Sequence, residues 1–284
     1  MVNMIRPFQV LTRWFLSALG SKWGKLKLVR IGRGRGLGRI LVAVAALIPL
    51  GLTWYQPWWL PYAVALAVAL WLIVFWMQWS GWSRLGSWFV AGVVLACYWG
   101  STFLFWLFLE NAWFRIIFLS VTAFFTWWYL REWQRLRLTL FLGEAGAGAT
   151  PTLVLGFLSS FALGSDAENF LVFLNTPLWQ LLLAFYLPAA ALIICLTYAS
   201  GWSLVKQWPY WFTGVMVLLQ VFVLVTWWPT SFYVVGFTLA ASFATIALVL
   251  RQEAQGFISR RSFSRELAVV LGALALVLLS ARWY

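Results

Sequence analysis

The sequence predicts an all-α, polytopic transmembrane helix bundle of about nine spans, N-terminus inside and C-terminus outside. Three observations carry that expectation. Of 284 residues, 64% are hydrophobic and 10% charged, too little polar material to cover a water-facing surface. The apolar runs are continuous, long enough to cross about 30 Å of hydrocarbon as helices, and lack the alternation of barrel strands. The 20 basic residues, set against 7 acidic ones, fall almost entirely on alternate loops, as the positive-inside rule requires.

The chain opens on Met1 to Arg39, which holds nine basic residues and no acidic one, including the run RIGRGRGLGR at Arg30 to Arg39. It is expected to be a cytoplasmic arm on the membrane surface. Lys22, Lys25, Lys27, Arg30, Arg33, Arg35 and Arg39 are its candidate contacts with anionic lipid headgroups, each worth about 1 kcal/mol near such a surface. The arm is too long and too basic for a signal-peptide n-region, and no small-residue cleavage site follows, so it is expected to be retained.

Residues 40–284 read as a single transmembrane helical domain. Its segments are Ile40 to Trp54, Trp58 to Trp79, Leu85 to Leu109, Trp113 to Leu130, Thr152 to Asn175, Leu178 to Ala199, Trp208 to Trp228, Ser231 to Leu250 and Leu267 to Tyr284. Seven of the nine prolines sit at or near segment ends, where a missing N–H costs little. Pro49 and Pro188 lie inside spans and predict kinks. If all nine segments cross, 18 of the 20 basic residues lie inside, and only Arg115 and Arg282 lie outside. A re-entrant Thr152 to Asn175 would lower the inner count to 14, so the nine-span arrangement is preferred.

Most of the 23 tryptophans fall near segment ends, Trp113, Trp179 and Trp227 at the outer belt, Trp127, Trp133 and Trp208 at the inner one. Trp71, Trp99 and Trp106 are expected inside the bundle. Two rows of small residues spaced by four, Gly236, Ala240, Ala244 and Gly148, Thr152, Gly156, Ser160, Gly164, predict close helix crossings.

Several chemistries are excluded. With no histidine, imidazole is absent as base, proton relay, zinc ligand or haem ligand. Cys97 and Cys195 lie in apolar runs and read as small core residues. The glycine-rich pieces at Gly32 to Gly38 and Gly143 to Thr150 match neither a dinucleotide fingerprint nor a P-loop. No cofactor is implied. The net charge of +13 is accounted for by topology, so the expected partners are the bilayer and its anionic headgroups, with a membrane protein or a second copy as further partner, and not nucleic acid.

The one stretch with internal polarity is Gly148 to Pro177, GATPTLVLGFLSSFALGSDAENFLVFLNTP. Its candidate ion- or substrate-binding residues are Asp166, Glu168 and Asn169, with Glu110 at another outer helix end. The plainest reading makes Gly164 a left-handed helix stop and Ser165-Asp166-Ala167-Glu168 a capping box opening the next helix. A second makes the same break a discontinuous membrane helix whose carboxylates complete a cation or proton site. A third makes Asp166-Ala167-Glu168 an outward pair that holds a divalent metal against a lipid-linked substrate. The expected function is accordingly a transporter or permease for a small solute or lipid in the plasma membrane. The alternatives are a non-catalytic subunit of a membrane complex and a membrane enzyme acting at the outer face.

Overall fold

A computed structural model describes residues 85–141, 149–201, 207–228, 231–255 and 260–280, together with Tyr62. They form seven helices: α1 (Leu85–Leu107), α2 (Ala112–Phe141), α3 (Ala149–Leu174), α4 (Leu178–Ala199), α5 (Trp208–Val225), α6 (Phe232–Gln255) and α7 (Arg260–Ser280). Among the described residues there is no strand. Five stretches are long and apolar enough to cross a membrane: Phe89–Leu107, Ala112–Trp133, Leu178–Ala199, Trp208–Val225 and Phe232–Glu253. The chain is therefore a helical, membrane-embedded protein. The expected spans Ile40 to Trp54 and Trp58 to Trp79, Tyr62 apart, lie outside the described residues. So does the basic arm, with Lys22, Lys25, Lys27, Arg30, Arg33, Arg35 and Arg39.

α3 is the hub. It packs on α1, α2, α4 and α6, its contact with α6 being the most extensive between any two helices; α5 packs on α4 and α6, and α7 on α6. Ring contacts fix the level of the helices against one another. Phe105 of α1 meets Phe118 of α2 at 5.3 Å, Phe161 of α3 at 5.8 Å and Tyr233 of α6 at 6.5 Å between centroids. The C-terminal parts of α1 and α3 and the N-terminal parts of α2 and α6 thus share one end of the bundle. The opposite end carries Arg131 and Arg251. At that end α2 runs on past its apolar stretch to Phe141 as an unbroken helix.

The two rows of small residues meet each other. A Cβ placed on Gly164 would lie 3.0 Å from Gly236 Cα and 2.6 Å from Leu239 Cδ1, and one on Gly156 would strike the ring of Phe243. On the other side, a Cβ on Gly236 would strike Ser165 Oγ and the backbone oxygen of Phe161. Missing side chains thus let α3 and α6 approach backbone to backbone, where dispersion and close packing hold helices together in lipid.

That use of Gly164 corrects the expected break. α3 is one continuous helix of 26 residues, about 39 Å long, with Gly164 and the segment from Ser165 to Glu168 well inside it. Neither a helix stop at Gly164 nor a capping box at Ser165 forms. The positive-φ positions among the described residues are Asn175, at 48°, and Gly201, at 85°. α3 stops at Asn175, whose type tolerates the left-handed region, and the N–H of Thr176 then bonds Phe170 O at 3.2 Å. Pro177 follows as the N-cap of α4. α3 is not one of the five most apolar spans, because its Ser, Thr, Asp, Glu and Asn residues lower its hydropathy. Its neighbours cover it instead, and 14 of its residues are buried.

The aromatic belt is present in part. Trp113, Trp179, Trp208 and Trp227 are exposed, and Trp106 is buried. Trp99 is half-buried and donates its Nε1–H to Thr126 Oγ1 at 3.0 Å. Trp133, expected in the belt, is a core residue instead, stacked on Tyr129 with centroids 5.8 Å apart.

Candidate functional site

Asp166 lies eight residues before the end of α3, about 12 Å along the axis. It is 2% exposed, and neither carboxylate oxygen has a hydrogen-bond partner among the described residues. At 100° per residue it lies about 200° round the helix from Gly164, so it shares a face with Leu155, Ser159 and Ala162, away from the glycine contact with α6. α1 and α4 are the long apolar helices that also pack on α3, and neither contains a charged residue. Nor do the hydroxyls of α1 reach across, since Ser101 Oγ and Thr102 Oγ1 both bond Tyr98 O, at 2.9 and 2.7 Å.

The four expected site residues separate. Asn169, one turn beyond Asp166, is equally buried, and its Nδ2 also lacks a partner. Glu168 is buried with Oε2 unpartnered, but two residues along a continuous helix put it about 160° from Asp166 on the shorter way round. Glu110 is exposed, past the end of α1. Among the described residues no three His, Cys, Asp or Glu side chains come together. The metal-holding pair of Asp166 and Glu168 is therefore not formed, and no interrupted backbone draws the two carboxylates into one site.

The chain matches no known family model, curated protein or solved structure. The site must be understood from its own chemistry.

Around Asp166 the two ends of the bundle differ. Toward the end of α3, aromatic rings close the space: Phe108 meets Phe170 at 5.3 Å and Phe173 at 6.5 Å. Arg115 of α2 lies at this end, donating from Nε to Leu109 O, with its guanidinium 5.6 Å from the Trp106 ring centroid. Toward the Arg131 end, polar groups continue on the same face of α3 as Ser159 and Thr152, both fully buried. Ser159 Oγ donates to Leu155 O at 2.7 Å, whereas Thr152 Oγ1 has no partner. The buried Tyr129 hydroxyl of α2 faces Thr152 without closing a well-formed hydrogen bond.

Thr152 was expected only as a member of a small-residue packing row, and Ser159 and Tyr129 were not singled out in the sequence. The signal was the seven-residue spacing Thr152, Ser159, Asp166, which keeps a polar group on one face over two full repeats. An ionised carboxyl at membrane depth costs about 2.5–3.5 kcal/mol on insertion scales, and among the described residues neither α1 nor α4 brings a counter-charge to Asp166.

Proposed function

We propose that this protein is a multi-pass transporter or permease of the plasma membrane, moving a small solute or lipid by a cycle in which Asp166 binds and releases a positive ion. The observation that carries this reading is the unpartnered carboxylate of Asp166, buried on the helix around which the bundle is packed. A purely structural carboxylate would be expected to hold a cap or an ion pair. A charge kept at a cost in stability, on the central helix and facing uncharged neighbours, fits a group that is loaded and unloaded during a working cycle.

The test is side-specific access to that face. In a Cys97→Ala, Cys195→Ala background, single cysteines at Ser159, Asp166 and Asn169 should react with a membrane-impermeant thiol reagent, from one side in one condition and from the other side in another. The reagent should fail at Ala240, in the close-packed row of α6. Uniform protection of all three sites from both sides would overturn the reading and leave a packed, non-transporting membrane subunit.

A further inference from the structure

Resting on the reading that Asp166 is the ion-binding group, we infer that the ion is a proton, and that it reaches Asp166 from the Arg131 end along the Thr152, Ser159, Asp166 stripe of α3. Among the described residues, ligand count speaks against a divalent metal ion. Calcium takes 6–8 oxygen ligands and magnesium about six. Around Asp166 the described residues offer one carboxylate and the side-chain amide of Asn169. Ser159 is seven residues away on the same helix, about 10.5 Å, too far to share a metal with Asp166. Ser165 Oγ is packed against Gly236 on the α6 side. On α1, Ser101 and Thr102 donate their protons to their own backbone and hydrogen-bond no oxygen of Asp166, and the buried residues in the N-terminal half of α4 are Leu181 and Phe185. A proton needs a single oxygen.

Among the described residues, no other titratable group competes for this role. α1 contributes Cys97 and Tyr98, and α4 contributes Tyr186, Cys195 and Tyr198, none of them charged. α6 contributes Tyr233 at the aromatic end, and Arg251 and Glu253 only at the far end. α2 contributes Arg115, already engaged by Leu109 O and Trp106, with Tyr129 beside Thr152 and Arg131 and Glu132 beyond it. Glu168 lies on another side of α3.

The direction follows from what lines each side. The Phe108 and Phe170 rings pack edge to face on one side, with the exposed Phe173 beyond them, while Ser159, Thr152 and Tyr129 continue the polar face on the other. Thr152 and Tyr129 each hold an unpartnered hydroxyl, and the lone pairs of Ser159 Oγ remain able to accept. Hydroxyls spaced about 10.5 Å apart do not hand protons on directly. A short file of water can bridge them when the helices part, because buried water settles where polar groups offer it partners, as Thr152 and Tyr129, which face each other, do at the Arg131 end. The step is then simple: a hydronium ion on that water gives its proton to an Asp166 oxygen, forming the carboxyl O–H and leaving water. Release reverses it.

The test is infrared spectroscopy of the purified full-length chain in lipid vesicles, titrated with pH in the presence and absence of sodium, potassium, magnesium and calcium. Wild type should show the carbonyl band of a protonated carboxyl that is lost in Asp166→Asn and retained in Glu168→Gln, with a midpoint unmoved by any of the four cations. On transfer to deuterated water, the band should shift more slowly in Thr152→Val with Ser159→Ala than in wild type. These replacements are near in size to the originals, and gel filtration checks that each variant is folded. A midpoint displaced by one cation would overturn the proton while leaving an ion site at Asp166. Exchange unchanged in the double variant would overturn the route. No band dependent on Asp166 at any pH would overturn the ion-binding reading itself.

Discussion

At the scale of single residues, the bundle depends on which positions lack a side chain. A Cβ at Gly236 collides with Ser165 Oγ and with the Phe161 carbonyl, and because one of these is backbone it cannot swing away. Gly236→Ala should therefore destabilise the protein by about 1–3 kcal/mol, as overpacking does. Gly100 of α1 has nothing within 4 Å of the same construction, so Gly100→Ala should leave stability unchanged or raise it by up to about 1 kcal/mol through helix propensity. Thermal melts in one detergent compare the two directly; equal effects would mean that α3 and α6 do not meet at Gly236. The four-residue spacing made Gly236 legible in the sequence. Its partner was legible only as a second row, since nothing in a spacing says which helix faces which. The isolation of Asp166 was not legible at all, because a carboxylate looks the same in sequence whether its oxygens are bonded or orphaned.

At the scale of the element, α3 shows tertiary packing overriding a strong local signal. Gly164 followed by Ser165-Asp166-Ala167-Glu168 carries every residue a stop and a capping box need, yet the helix passes through, because a glycine at this position lets α6 come within backbone reach. The two accounts differ measurably. A capping Ser165 would cost about 1 kcal/mol when changed to alanine. Here Ser165 Oγ is buried and unpartnered, so Ser165→Ala should cost nothing measurable or be mildly stabilising. The loss should appear instead at the true end of the helix. Asn175 has φ of 48°, where a β-branched residue is strained, and Asn175→Val should lower stability by about 1–2 kcal/mol while Asn175→Gly is tolerated. Denaturation of these three variants settles where α3 ends. The same helix hid its polar face: Thr152, Ser159 and Asp166 repeat at seven, but serine and threonine are common in membrane helices as hydrogen-bond partners of their own backbone, and only the structure shows that Thr152 and Asp166, like Ser160, Ser165, Glu168 and Asn169, are buried with polar atoms left without partners.

At the scale of the whole molecule, the helical class, both boundaries of α4 and the start of α5 followed from long apolar runs bounded by proline and tryptophan, because in lipid an unsatisfied backbone leaves helix as the only alternative to a closed barrel. The arrangement of the helices did not follow, since lipid tails are as apolar as leucine and hydropathy cannot say which helix is inside. α3, which is not among the five stretches apolar enough to count as spans, is the helix on which α1, α2, α4 and α6 all pack. Its continuity bears on orientation. A stretch of 26 residues with no break is long enough to cross, and counting it as a span puts 18 of the 20 basic residues on one side, against 14 if it turns back. The expected outcome is that cysteines placed at Asn111 and Asn175, in the loops after α1 and α3, react with an impermeant reagent in intact cells, whereas one at Gly201, after α4, reacts only once the membrane is opened. If Asn111 and Gly201 react from the same side, α3 does not cross. In that case Asp166 belongs to a re-entrant hairpin facing one compartment, and a cycle that exposes it alternately to both sides of the membrane is excluded on topology alone.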